Sequence, residues 1–242
     1  NAPLGAGEMQ VAGNSFLTAP SAAGSVLVLE NATLGLMGAQ LLSDQAGVEI
    51  RTTGRLALLG GDQTIRDLSG AGNIVLNGFE LRVTGNSIFT GAFEGAGDVL
   101  VSAGQLQIGS DTRQTQLTVG QGGQLDVTGS VTSTDMTMVQ GDMTIAPGGQ
   151  VSTPNFTLAS GGSTQVGGTL QSGLTQVLGT MTLTGGTVQN TQMMISGLGG
   201  TLGGTGSVTG STMVTGGGLL AAGFSVGALS FDNLTIGAGG RV

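Results

Sequence analysis

Six charged residues are placed where they could do chemistry: Arg66 beside Asp67, Glu94 four positions before Asp98, and Asp111 two positions before Arg113. Two carboxylates held ~5–9 Å apart can share the acid and base roles of glycosidic-bond hydrolysis. Arg residues on the same flank would complete a polysaccharide-degrading site. The competing reading makes these six solvated loop charges, whose pairings contribute little. The sequence favours that second reading. It has no Trp or Tyr to serve as a sugar platform, and Phe79, Phe89 and Phe93 read as interior or loop-packing residues.

Most other chemistry lacks its atoms. With no His and no Cys, there is no Ser-His-Asp triad, no thiol nucleophile and no typical zinc set. No Lys is present either, which removes P-loop and Schiff-base chemistry. Glycine patterns around Gly204 and Gly206 mimic a nucleotide-binding loop, but no strand-loop-helix unit surrounds them, so they read as β-turns. Residues 199–206 supply the glycines of a calcium nonapeptide without its Asp. Met136, Met138, Met143, Met181, Met193, Met194 and Met213 would suit copper(I) only as a clustered array. As flexible filler they suit the core of successive rungs, and that is the expectation. No catalytic, cofactor-binding or metal-binding residue is therefore assigned, no cofactor is expected, and the chain reads as a non-enzyme.

The elements that must carry these residues are short. The chain has 49 glycines in 242 residues, and each would cost a helix interior roughly 1 kcal/mol relative to Ala. Segments such as Gln124-Leu125-Asp126-Val127-Thr128 alternate apolar and polar side chains between Gly turns, the pattern of strands with one buried face. Only residues 34–42 show a helical stripe, at Leu34, Met37 and Leu41, which admits a short helix or cap. The apolar residues are mainly Val, Leu, Ile, Ala and Met, a palette for a narrow interior. A positive mean hydropathy of +0.30 disfavours disorder.

A phrase repeats. L-T-V-G-Q-G-G-Q-L at 117–125 returns as L-T-I-G-A-G-G-R-V at 234–242, with related phrases opening at Met136, Phe156, Leu174, Met193 and Met213. The steps are 19, 20, 18, 19, 20 and 21 residues. A period near twenty marks a repeat architecture. Earlier phrases open at Val26, Val48, Ile74 and Val99, with wider steps of 22, 26, 25 and 18. The expected fold is all-β, a single-stranded parallel β-helix or β-solenoid of about eleven rungs, or twelve with residues 9–17, each of 18–26 residues. At ~4.8 Å per strand the stack would be roughly 50–60 Å long. Residues 1–116 would form a solenoid with loop insertions and a possible N-terminal cap, and 117–242 a regular solenoid, together one continuous domain.

Charge divides along the same line. Residues 1–116 hold ten acids and five Arg; 117–242 hold only Asp126, Asp135, Asp142, Asp232 and Arg241. A net charge of −8 argues against nucleic acid and against anionic membranes, both of which are gripped by Lys and Arg. No apolar run reaches the length of a transmembrane helix. The chain opens at Asn1 without Met and without a basic-apolar leader, as expected of a processed or trimmed chain from which any signal peptide has gone.

The strings G-D-Q-T-I-R-D-L-S-G-A-G-N-I-V-L-N-G at 61–78 and L-R-V-T-G-N-S-I-F-T-G-A-F-E-G-A-G-D-V-L-V-S-A-G-Q-L-Q-I-G at 81–109 resemble the repeats of bacterial autotransporter passenger domains and related secreted β-helix adhesins. G-G-T-L-G-G-T-G-S-V-T-G at 199–210 and the stretch 219–237 are similar to their C-terminal passenger segment. The resemblance implies a right-handed parallel β-helix, export to the bacterial outer surface or beyond, and a translocator barrel following the passenger. The residues after Leu234 depart from it, offering no amphipathic barrel strands.

Three roles follow as expectations. The first is a structural subunit of a self-assembling surface appendage or filament, associating through solenoid ends or lateral faces. The last phrase, which runs to Val242 without a cap, supports that role through an open strand edge. The second is an adhesin stem for a host or matrix ligand, and the third a glycan-active enzyme.

Overall fold

Alternation decides the local structure. In Ser25–Val28, Gly47–Ile50 and Asp142–Ile145 every second side chain is buried, and the others face outward. Such a strand buries only one side and must close around a core with others like it. The computed structural model describes residues 7–221 and 227–242, and all regular structure among them is strand. Ladders between successive coils are parallel throughout, giving a β-solenoid of about 12 turns.

Each complete coil has three faces. Face A stacks Glu8–Val11, Ser25–Val28, Gly47–Ile50, Asp67–Gly70, Ser87–Phe89, Gly104–Ile108, Gly123–Val127 and their successors. Face B begins as a separate five-stranded sheet: Asn14–Leu17, Thr33–Leu36, Arg55–Leu58, Asn73–Val75 and Ala92–Glu94. Face C begins at Gln63–Ile65 and continues through Glu80–Val83 and Asp98–Val101. From Thr112–Val119 onward single strands run round the B–C corner, and Thr180–Ile195 rounds two corners to span all three faces. The later coils thereby join one twenty-stranded sheet.

Turns between faces are tight because glycine is there. A Cβ on Gly141 would fall against the carbonyl oxygens of Gly123 and Gly120, so only hydrogen lets consecutive coils lie at ladder distance. The core inside is one continuous column of small aliphatics, widened by Phe89, Phe93 and Phe156. Phe89 and Phe93 pack tilted, with ring centroids 5.2 Å apart.

The core is not wholly apolar. On face C the inward column reads Leu117, Thr137, Phe156, Thr175, Met193, Thr212: large and small alternate coil by coil, and all six are buried. At the neighbouring corner Gln114, Ser133, Thr153, Ser172 and Asn190 also point inward. Ser133 Oγ accepts from Thr137 at 3.0 Å and from Gln114 Nε2 at 3.2 Å, while the Ser172 and Thr175 hydroxyls pair. Thus the middle of this polar seam satisfies itself. Gln114 Oε1, both amide atoms of Asn190 and Thr212 Oγ1 have no protein partner.

Three sequence expectations change. The helical stripe at 34–42 is instead the strand Thr33–Leu36 followed by a loop, because Thr33–Leu36 is zipped between Asn14–Leu17 and Arg55–Leu58. Ile74 lies on face B, whereas Val26 and Val48 lie on face A and Val99 on face C. The steps of 26 and 25 came from mixing faces; ladder register sets coils of 17 to 23 residues. The looped character of the first half comes from residues 37–46, which occupy the third side of a coil where later coils place a face C strand. The division at 116/117 falls inside the strand Thr112–Val119. Residues 1–6, where a cap was allowed, and 222–226, within the passenger-like tail, lie outside the described residues.

Candidate functional site

The six charges of the glycan-cleaving hypothesis are dispersed. Arg66 Nε and Asp67 Oδ2 form an exposed ion pair at 2.7 Å. Glu94 closes a face B strand; its Oε1 accepts from Asn73 Nδ2 at 2.9 Å and its Oε2 lies 3.8 Å from Arg55. Asp98 opens a face C strand beyond the next corner. Asp111 and Arg113 are exposed and form no ion pair among the described residues. No two of the six line any one of the five principal cavities.

What the fold does gather is a column of carboxylates that spacing alone did not reveal. Glu80, Asp98 and Gln116 are register partners on face C, and Asp62 precedes Gln63, the partner of Leu81. Two of these acids cap the next coil: Asp62 Oδ1 accepts the Glu80 N–H at 2.8 Å, and Asp98 Oδ1 accepts the Gln116 N–H at 3.1 Å, while Glu80 pairs with Arg82 at 3.3 Å. Burial pushes the Asp98 carboxyl above the usual range; Asp135 and Asp62 add to the rise, and the Gln116 N–H opposes it. The Asp62 and Asp98 carboxylates bond to backbone and serve the stack. Among the described residues no group of three acids is placed to hold a metal ion.

The methionines divide. Met143, Met181 and Met193 are core filler, as expected. Met136, Met138, Met194 and Met213 are not: they lie on the outward side of face C with Leu174. The phrases opening at Met136, Leu174 and Met213 are one residue out of step with those at Leu117, Phe156 and Met193, and Thr137, Thr175 and Thr212 take the inward places.

The later coils present an uncharged exterior. No Asp, Glu, Lys, Arg or His occurs between Asp142 and Asp232. Outward positions on face B are Ser130 and Thr132, Gln150 and Ser152, Thr169 and Gln171, Thr187 and Gln189, Ser207 and Thr209. Side chains at ladder spacing on this face offer donors and acceptors without like-charge repulsion.

Two cavities bear on binding. The larger of the two, about 710 Å³, lies over Thr182, Leu183, Gly203 and Ala221 and has no titratable residue among its described lining. A second, about 430 Å³, lies at the corner from face C to face A, between Asn86, Gln105, Gln124, Gln121, Gln140 and Asp142. In the sequence Gly104-Gln105-Leu106 and Gly123-Gln124-Leu125 read only as repeat phrases. The recurrence of Gln after Gly was the signal that an amide column runs along this corner.

No helix among the described residues is long and apolar enough to cross a membrane. Comparison with protein-family models, with curated proteins and with solved structures finds no match to this chain.

Proposed function

We propose that the protein is a non-enzymatic structural β-solenoid of the bacterial outer surface, a subunit that associates with copies of itself through its lateral faces and ends. The observation that carries this reading is the uncharged span from residue 143 to 231, whose described strands are joined in parallel ladders. Surface charge is what normally keeps copies of a protein apart, and a patch near zero net charge favours association. Here the early coils hold most of the charge that confers solubility, while the later coils offer Ser, Thr, Gln and a Met-bearing face. The polar ladders suit side-by-side contact in which hydroxyls and amides exchange hydrogen bonds.

The dispersal of the six candidate charges weakens the glycan-cleaving alternative. The adhesin-stem reading gains from the amide-lined corner, whose ligand is taken up below. Electron microscopy of purified protein tests self-association: laterally packed or filamentous particles at high concentration are expected, and dispersed single solenoids at every concentration would overturn it.

A further inference from the structure

We propose that the corner between faces C and A, around Asn86, Gln105, Gln124 and Asp142, binds the hydroxyl groups of an uncharged polysaccharide lying along the solenoid axis. This goes beyond self-association and does not depend on it, because the corner is formed by coils that precede most of the uncharged span.

Register builds the site. Gln105 pairs with Gln124 and Gln124 with Asp142 in successive coils. Asn86, just before the partner of Leu106, extends the column by one coil, and its Oδ1 accepts the Gln105 N–H at 3.2 Å. Gln121 and Gln140, from the adjoining turns, form the other wall of the cavity of about 430 Å³. That volume lies within the range of small-molecule sites, ~300–1,000 Å³. The floor is glycine, at Gly104, Gly123 and Gly141, and carries no side chain to obstruct a ligand.

The amides are held in place. Asp126 accepts an N–H from Gln105 through Oδ2 and one from Gln124 through Oδ1, the latter at 3.4 Å. One carboxylate thereby orients two carboxamides, lowering the ordering cost of binding. Each amide keeps its carbonyl oxygen and a second N–H for a ligand.

The ligand class follows from what the corner contains. A sugar hydroxyl donates and accepts, as a carboxamide does. Phosphate, sulfate and uronate would want Arg or Lys, and the lining has none while Asp142 repels them. Aromatic platforms are absent, so contact runs through hydroxyl edges rather than ring faces. Coils recur every ~4.8 Å, so the corner presents its carboxamides at that spacing along the axis to successive hydroxyls of an extended polymer.

Affinity gel electrophoresis of the full chain tests this, with xyloglucan, galactomannan or dextran cast in the gel, and polygalacturonate as the anionic comparison. Retardation by at least one neutral polymer is expected. It should weaken at least tenfold in a Gln105→Ala/Gln124→Ala variant and less in Asp126→Ala, with unchanged circular dichroism. A Gln171→Ala/Gln189→Ala variant on face B should bind as the parent. No retardation by any neutral polymer, preference for polygalacturonate, or full binding by the Gln105/Gln124 variant would overturn the proposal. Loss of self-association without loss of retardation would count against the assembly reading alone.

Discussion

Asp98 Oδ1 accepts the backbone N–H of Gln116, one coil further along face C, at 3.1 Å. The same carboxyl is partly buried and has Asp62 and Asp135 for electrostatic neighbours, with Glu80, ion-paired to Arg82, beside it in the ladder. Its folded pKa is raised. A raised acid contributes stability below its unfolded pKa of about 3.9 and loses it as pH rises through the folded value. Asp98→Asn keeps the Oδ1 acceptor and removes the charge. The variant should melt higher than the parent at pH 7, with the gap closing toward pH 3; an equal or lower melting temperature at pH 7 would contradict this.

Gln63 fastens the loop 37–46 from inside the coil. Its Oε1 accepts from Leu41 N at 2.9 Å and Leu42 N at 3.3 Å, and its Nε2 donates to Gly38 O at 2.6 Å. Gln63→Leu keeps the bulk and orphans those three groups, at about 1–3 kcal/mol each where they stay buried. Denaturation should show a loss of several kcal/mol, on the order of 3. Hydrogen exchange should accelerate first at Leu41 and Leu42.

Two glycines separate close approach from backbone preference. Gly141→Ala must push apart two coils and should destabilise by more than about 4 kcal/mol or prevent folding. Gly148 has φ +87 and open space around its missing Cβ. There Ala meets only the left-handed penalty, about 1–2 kcal/mol. Thermal melts of both variants check the ranking.

At Asn190 the polar seam ends badly satisfied. Both amide atoms are buried without a protein partner, so Asn190→Leu, of similar size, should raise stability by about 1–3 kcal/mol. Asn190→Asp buries a charge in the same place and should lower it. A destabilised Leu variant would mean that the amide is satisfied after all.

Glycine spacing and the strand alternation in 123–127 and 180–184 were enough to indicate a parallel solenoid, because the period of two and the coil period both show in the order of residues. Orientation was harder. Met136, Leu174 and Met213 look like core residues and face out, because the inward column accepts Thr in alternate coils, with Ser133 and Ser172 bonding two of those hydroxyls. Hydrophobicity carries no trace of a hydroxyl partner three or four residues away. Similarly, Asp62, Glu80 and Asp98 are unrelated in sequence until the ladder register aligns them, and Gln105, Gln124 and Asp142 become one wall only once the coils stack.

Sedimentation velocity over a wide concentration range tests the central claim most directly. The parent should shift to larger species as concentration rises. A variant carrying Ser152→Glu and Gln189→Glu, two coils apart on the outward side of face B so that the new charges are not ladder neighbours, should stay monomeric while keeping its melting temperature. A parent that sediments as a monomer throughout, or a charged variant that associates as strongly as the parent, would contradict the account.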